Sequence, residues 1–175
     1  SMRSVRLLAL IGSFFALALV GCASSATAAA SSAPVYIHMN GANDFLEPIV
    51  AVAPGQPVIF VNQDTGVHTV LGYDPNSGRL DPRIDGSLVG TPGAGHPVAT
   101  YEVSFPTAGL YAYYCSVHAT LTKSFGGTVQ VSHRQGVDGP SWAMGGTIVV
   151  TTDPALWAQN PKSTAQKILT GFFGG

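Results

Sequence analysis

Residues 111–118 read Tyr-Ala-Tyr-Tyr-Cys-Ser-Val-His, an aromatic strand pattern that runs directly into a Cys-x-x-His sequence. Residues 58–68 read Val-Ile-Phe-Val-Asn-Gln-Asp-Thr-Gly-Val-His, an apolar strand pattern that turns through polar residues and then presents a histidine. Residues 142–150 read Trp-Ala-Met-Gly-Gly-Thr-Ile-Val-Val, with a methionine just before the last apolar run. Because β-branched and aromatic runs are typical of strands, each segment places potential metal ligands at the end of a strand.

The rest of the chain also has the pattern of short strands joined by turns. Its 175 residues are 46% hydrophobic and 10% charged, and the 21 glycines and 12 prolines cluster between apolar runs. This pattern favours an all-β sandwich or barrel, and the length suffices for one such domain with tails. The predicted strands are Val35–Met39, Ile49–Val52, Val58–Asn62, His68–Leu71, Thr100–Phe105, Leu110–Tyr114, Thr128–Val131 and Thr147–Thr151. Two long loops are predicted, Gly72–Ala99 and Ala119–Ala143, the second containing one of these strands.

The N-terminal residues predict export and a lipid anchor. Two arginines at positions 3 and 6 precede an apolar stretch, residues 7–20, that is shorter than a typical transmembrane helix. Residues 19–22, Leu-Val-Gly-Cys, resemble a bacterial lipobox, and the resemblance implies cleavage before Cys22 and attachment of lipid to it. The alternative is a simple secretory signal that is cut later, within residues 23–30.

These observations divide the chain into four segments. They are a lipoprotein signal peptide at 1–21, a flexible tether at 22–34, a β domain at 35–152 and a C-terminal extension at 153–175. Residues 163–170 of the extension are compatible with one short amphipathic helix. The formal net charge is −1, and loss of the two leader arginines makes it more negative, so nothing resembles a basic surface for nucleic acid.

Three side chains predict a metal site. If Cys22 carries lipid, Cys115 is the one cysteine left in an oxidising compartment, where an idle thiol is a liability. One thiolate and two imidazoles, from Cys115, His68 and His118, form a trigonal donor set of the kind that copper prefers. Structural zinc is disfavoured because the fourth donor would be a thioether. A hydrolase is disfavoured because we identify no orienting acid and no oxyanion donors.

These segments resemble the cupredoxin family, in particular its plastocyanin-like and halocyanin-like blue copper proteins, over residues 35–151. The resemblance implies a Greek-key β-sandwich, one type 1 copper ion and one-electron transfer. It also implies that His118 lies nearest to solvent in an apolar patch, and that the main chain near Thr69 donates to the cysteine sulfur. The matching residues are Gly55, Val58, Phe60, Asn62, Asp64, His68, Tyr114, Cys115, His118, Met144, Gly146 and residues 148–150.

The fourth ligand position departs from the family pattern. In most relatives the axial methionine follows the second histidine by a few residues, but Leu121 and Lys123 occupy those positions here. We interpret residues 122–143 as an insertion in the copper-ligand loop and Met144 as the axial ligand. In the alternative, residues 126–131 form the last strand, Leu121 faces copper without coordinating it, and Met144 belongs to the core.

The sequence therefore predicts a non-enzymatic, monomeric carrier of single electrons between extracytoplasmic redox partners, tethered to the cell membrane on its periplasmic or cell-surface side. A protein that binds, buffers or delivers copper to a partner is the second hypothesis. The third is a catalytic copper site, completed for example by a loop histidine, that reacts with oxygen or nitrogen oxides. His133 is interpreted as an exposed loop histidine, with a second metal as the alternative, and His38 and His96 receive no role.

Overall fold

A computed structural model of the chain describes residues 33–137 and 143–161, which form eleven strands and one short helix. All eight predicted strands are present, with ends that differ from the predictions by at most two residues. No helix in the described residues is long and apolar enough to span a membrane. The elements are β1 Val35–Asn40, β2 Asp44–Phe45, β3 Ile49–Val52, β4 Val58–Asn62, β5 His68–Tyr73, β6 Leu80–Leu88, β7 Ala99–Val103, β8 Gly109–Tyr114, β9 Ala119–Lys123, β10 Val129–His133, β11 Gly145–Val150 and α1 Pro154–Trp157.

The strands form the predicted β-sandwich. One sheet has the order β2-β1-β4-β7 and the other the order β3-β11-β8-β5-β6, so the chain crosses repeatedly between sheets, as Greek-key connectivity requires. Two pairs, β1 with β4 and β3 with β11, are parallel, and the rest are antiparallel. The buried ring of Tyr113 in β8 meets those of Phe45 and Phe60 edge to face, at 5.0 and 5.1 Å between centroids, and so joins the two sheets.

The predicted loop at Gly72–Ala99 contains a strand, β6, and the prediction was wrong over residues 80–88. β6 lies at the edge of the five-stranded sheet and pairs with β5 alone, so Pro82 is tolerated there. The alternation of buried apolar residues in β6 is not visible in the sequence, because one of the buried positions is Gly86. The ring of Tyr101 fills the space where a side chain at that position would lie. A Cβ at Gly86 would come within 2.5 Å of that ring.

The second predicted loop, Ala119–Ala143, contains two strands where the sequence predicted one. β9 and β10 pair with each other in a separate two-stranded sheet, here called the inserted hairpin, residues 119–133. β11 enters the five-stranded sheet between β3 and β8. β11 is therefore the last strand of the sandwich, as the interpretation of residues 122–143 as an insertion requires, while the hairpin already begins at Ala119. The alternative, in which residues 126–131 form the last strand of the sandwich, is wrong.

The beginning of the C-terminal extension packs against the sandwich. Asp153 caps α1 by accepting a hydrogen bond from the Ala155 N–H at 2.9 Å, and a proline opens the helix. Further on, the Asn160 amide exchanges two hydrogen bonds of 2.6 Å with the backbone of Ala51 and so covers the edge of β3. The predicted helix at 163–170, the signal peptide and Cys22 lie outside the described residues.

Candidate metal centre

The sheet brings the predicted ligands to one end of the sandwich. His68 begins β5, Cys115 directly follows β8, and Met144 directly precedes β11. Because β8 is the antiparallel neighbour of both β5 and β11, the end of β8 lies beside the beginnings of the other two strands. His118 reaches the same place through the tight turn after Cys115, in which the Ala119 N–H donates to the Cys115 carbonyl at 2.9 Å.

Three donor atoms face one another at this end. The Cys115 Sγ lies 3.7 Å from the His68 Nδ1 and 3.6 Å from the His118 Nδ1, and all three atoms lie within 4.8 Å of one another. Sulfur and nitrogen donors arranged trigonally at about 2.0–2.3 Å from one ion lie about 3.6 Å apart, so these separations fit a single first-row metal ion. His68 and Cys115 are buried and His118 is partly exposed, as the resemblance to cupredoxins implied.

Thr69 holds the cysteine from the side of β5. Its N–H lies 3.3 Å from the Cys115 Sγ, in the position that the resemblance implied for a main-chain donor to the sulfur. Its hydroxyl oxygen accepts from the Ser116 N–H at 2.7 Å and lies 2.9 Å from the Ser116 hydroxyl. One residue therefore orients both the thiol and the first peptide of the turn that leads to His118.

Asp64 holds His68 from the other side of the ring. The Asp64 Oδ2 lies 2.8 Å from the His68 Nε2, so the ring donates its Nε2 proton to the carboxylate and turns Nδ1 towards the cysteine. The carboxylate also accepts from the Thr65 N–H at 2.6 Å, and the Asp64 N–H donates to the Asn62 side chain at 3.0 Å. The carboxylate is thus fixed by its own neighbours before it orients the histidine.

The pKa values of Cys115 and His68 favour a thiolate beside a protonated imidazole in the metal-free protein. Burial raises the pKa of Cys115, but hydrogen bonds from His68, the Thr69 N–H and His118 outweigh it and lower the pKa to about 6. Burial lowers the pKa of His68, but hydrogen bonds to Asp64 and Cys115 outweigh it and raise the pKa to about 9. A low thiol pKa favours the thiolate, which is the form that binds a metal ion.

We expect Asp64→Asn to lower the affinity for copper about 10–100-fold, because loss of an outer partner of a ligating histidine typically has that cost. Asparagine keeps the shape of the side chain and removes its charge. A chelator competition titration measures the affinity. Asp85→Asn is the control, because it removes an equal charge from an exposed position of β6. Equal affinities of Asp64→Asn and the wild type would contradict the role given to the carboxylate.

The remaining candidate residues lie as follows. Met144 is buried beside the cluster, and its carbonyl accepts from the Cys115 N–H at 3.0 Å. Leu121 lies partly buried on β9 and packs against the core. His133 pairs with Ala119 across the inserted hairpin, so it belongs to a strand and not to a loop. His96 is an exposed loop residue.

His38 lies buried on β1, where its Nδ1 is 3.1 Å from the Glu47 carboxylate. That carboxylate also accepts from the His38 N–H at 2.8 Å. In the described part of the chain, the group of His, Cys, Asp and Glu side chains placed to share a metal ion consists of His68, Cys115 and His118.

No model of a protein family matches the sequence, and no curated protein does. Among solved structures, the chain is similar to a purple cupredoxin from Nitrosopumilus maritimus, with 19% identity over 67% of this chain and 99% of that one and a TM-score of 0.43. It is similar to amicyanin from Paracoccus versutus, with 18% identity over 67% and 81% of the two chains and a TM-score of 0.37. It is also similar to part of a copper-containing nitrite reductase from Thermus scotoductus, with 24% identity over 67% of this chain and 22% of that one and a TM-score of 0.39.

Proposed function

We propose that this chain binds one type 1 copper ion through His68, Cys115 and His118 and carries single electrons between protein partners outside the cytoplasm. The observation that supports it is the buried cluster of one thiol and two imidazoles at the spacing of a single trigonal ion. Copper in such a site supplies reversible exchange of one electron between its cuprous and cupric states.

The surrounding residues hold two of the three donors, His68 and Cys115, in place without help from the metal. Asp64 fixes the ring of His68, and Thr69 fixes the sulfur of Cys115 through its N–H. Both of these partners belong to β5 or to the turn that precedes it, so they are part of the rigid sandwich. Donors that cannot move keep the same geometry in both oxidation states, and a small change of geometry favours fast electron transfer.

Partners would approach at the partly exposed edge of His118. Val67 and Val117, which precede the two ligating histidines, are exposed to 48% and 36%. The Asn62 amide binds the carbonyl of Val89, a third exposed valine, and so places it at the same end of the sandwich. With a net charge close to zero over the whole chain, we expect recognition to depend on this apolar surface more than on long-range steering.

The anchor is the second part of the proposal. A lipid on Cys22 and the tether at residues 22–34 would hold the domain on the outer face of the cytoplasmic membrane. Confinement near membrane-bound redox partners raises the effective concentration of the domain without a large interface. Mass spectrometry of the chain purified from membranes tests this part, because an unmodified Cys22 would exclude the lipid.

The copper site is tested by absorption and paramagnetic resonance of the full-length, copper-loaded chain in detergent. We expect strong thiolate-to-copper charge transfer, narrow hyperfine splitting and rapid electron self-exchange. A copper protein without the thiolate band would overturn the type 1 assignment. Type 1 spectra with slow self-exchange and rapid copper transfer to a recipient protein would favour copper delivery over electron transfer.

We expect Met144→Leu to change the visible spectrum and to raise the reduction potential. Loss of a weak thioether donor disfavours the cupric state, and a tenfold rise in the ratio of Cu(I) to Cu(II) corresponds to about 59 mV. Redox titration measures the ratio. Met39→Leu is the control, because Met39 is the other methionine buried in this core. An unchanged spectrum and potential in Met144→Leu would show that Met144 is a core residue and not the axial ligand.

A further inference from the structure

The inserted hairpin directly follows the turn that carries His118, so the position of this ligand depends on how the turn is supported. The ligand turn, residues 115–119, carries two of the three ligands, and the next strand that the structure places in either large sheet is β11, which begins at Gly145. The turn that carries His118 therefore leads into the inserted hairpin, whose two strands, among the described residues, pair with each other and with no strand of the large sheets. Segments with few packed contacts open locally at low free energy, and such opening would move a ligand.

Arg134, directly after β10, donates hydrogen bonds to three carbonyl groups of the ligand turn. Its Nε donates to the Ser116 carbonyl at 3.0 Å, and its Nη2 donates to the Ala119 carbonyl at 3.2 Å. Its backbone N–H donates to the His118 carbonyl at 3.0 Å. One residue thus satisfies three carbonyl groups of a five-residue turn, and two of those bonds are charge-assisted.

The turn is therefore held from two sides. Thr69 binds the Ser116 N–H from the side of β5, and Arg134 binds the carbonyl of the same residue from the inserted hairpin. The far end of the hairpin is itself anchored, because the Val129 N–H donates to the Pro75 carbonyl at 2.6 Å in the turn between β5 and β6. The hairpin is thus a fixed support from which Arg134 can act.

We propose that Arg134 is a positioning residue of the metal centre: its side chain holds the ligand turn closed and places a positive charge on the turn that carries Cys115 and His118. The inference rests on the proposed function where it concerns copper. Closure by the guanidinium fork depends on geometry and survives added salt. The charge favours the cuprous site, which carries one positive charge less than the cupric site, and salt screens this effect because Arg134 is exposed.

Three variants separate the two effects. Arg134→Gln removes both the fork and the charge, whereas Arg134→Lys keeps the charge and loses the fork, because an ammonium is a point donor. Lys123→Gln is the control, since it removes the same charge from the opposite end of β9.

The first measurement is amide hydrogen exchange in the metal-free, full-length protein. We expect the amides of Ser116, Ala119 and residue 134 to exchange about fivefold to thirtyfold faster in both Arg134 variants, because each loses hydrogen bonds that close the turn. The amide of Ile148 in β11 should keep its wild-type rate in all variants. Wild-type exchange of the turn amides in Arg134→Gln would overturn the proposal. If that variant does not fold, Arg134→Lys decides it through the same amides.

The second measurement is redox titration of the copper-loaded protein at low and high salt. At low salt we expect the ratio of Cu(I) to Cu(II) at a fixed ambient potential to fall about twofold to fivefold in Arg134→Gln and to stay near the wild-type value in Arg134→Lys and Lys123→Gln. Equal potentials in all four proteins at low salt would remove the electrostatic part. If the wild type shows no thiolate band, the proposed function fails, while the metal-free exchange still decides whether Arg134 holds the turn.

Discussion

Replacing Cys115 with serine is expected to abolish the intense visible absorption of the copper-loaded protein. The absorption comes from charge transfer between a thiolate and copper, and Cys115 is the cysteine that the structure places in the cluster. We also expect copper affinity to fall by more than the about 10–100-fold typical of losing an outer partner, because a hydroxyl is a poor ligand for copper and stays protonated. Optical titration with copper measures both effects.

Cys22→Ser is the matched control for this experiment. It removes the other cysteine of the chain and should leave the colour and the affinity unchanged, while it removes the proposed site of lipid attachment. The Thr69 N–H can donate to a serine hydroxyl, so we expect the fold of Cys115→Ser to persist in circular dichroism. A Cys115→Ser protein that kept a thiolate band would exclude Cys115 as a ligand.

Asn62→Ala is expected to lower the free energy of unfolding of the metal-free protein by about 3 kcal/mol, because the two N–H donors and the carbonyl oxygen of the amide lose about three hydrogen bonds of roughly 1 kcal/mol each. Asn62 is fully buried at the end of β4 that carries the metal centre. Its amide nitrogen lies 2.9–3.1 Å from three backbone carbonyls, and its oxygen accepts an N–H at 3.0 Å. These partners are Gly66, Leu88 and Val89 for the nitrogen and Asp64 for the oxygen.

Chemical denaturation monitored by far-ultraviolet circular dichroism measures this change. Asn76→Ala is the control, because Asn76 is exposed in the turn between β5 and β6 and its replacement should change stability by less than about 0.5 kcal/mol. We also expect weaker copper binding in Asn62→Ala, since the loss frees the N–H of Asp64, whose carboxylate orients His68. Equal stability of the two variants would show that the buried amide contributes little.

The strands that could be predicted from the sequence are those whose own apolar side chains occupy the buried positions. In β4, Val58, Phe60 and Val61 are buried apolar residues, so the pattern and the structure agree. In β6 the tertiary structure supplies what the sequence lacks, because the ring of Tyr101 occupies the place of the side chain missing from Gly86. A strand completed by another strand's residue cannot be recognised from its own sequence.

In the metal centre, too, some residues could be predicted from the sequence and others could not. His68, Cys115 and His118 could be predicted as one cluster because His68 begins a predicted strand, Cys115 follows another, and the Cys-x-x-His spacing places His118 in the same turn. Asp64 lies four residues before His68, but nothing in that spacing tells a turn residue from the partner of the ring. Arg134 is separated from the ligand turn by the inserted hairpin, and its hydrogen bonds to the Ser116 and Ala119 carbonyls depend on how that hairpin folds back. Contacts of this kind become visible only in the structure.

The register of β8 and β11 places the two ends of the segment between them side by side. Tyr114 and Gly145 are partners on one rung of the ladder, so the excursion between them begins and ends a single strand spacing apart. The sandwich therefore sets no length for that excursion, which can be treated as an exchangeable cassette. Cassettes of different length that keep Cys115 and Met144 at their two ends would allow His118 and its supporting contacts to be redesigned while His68 and the sheets keep their places.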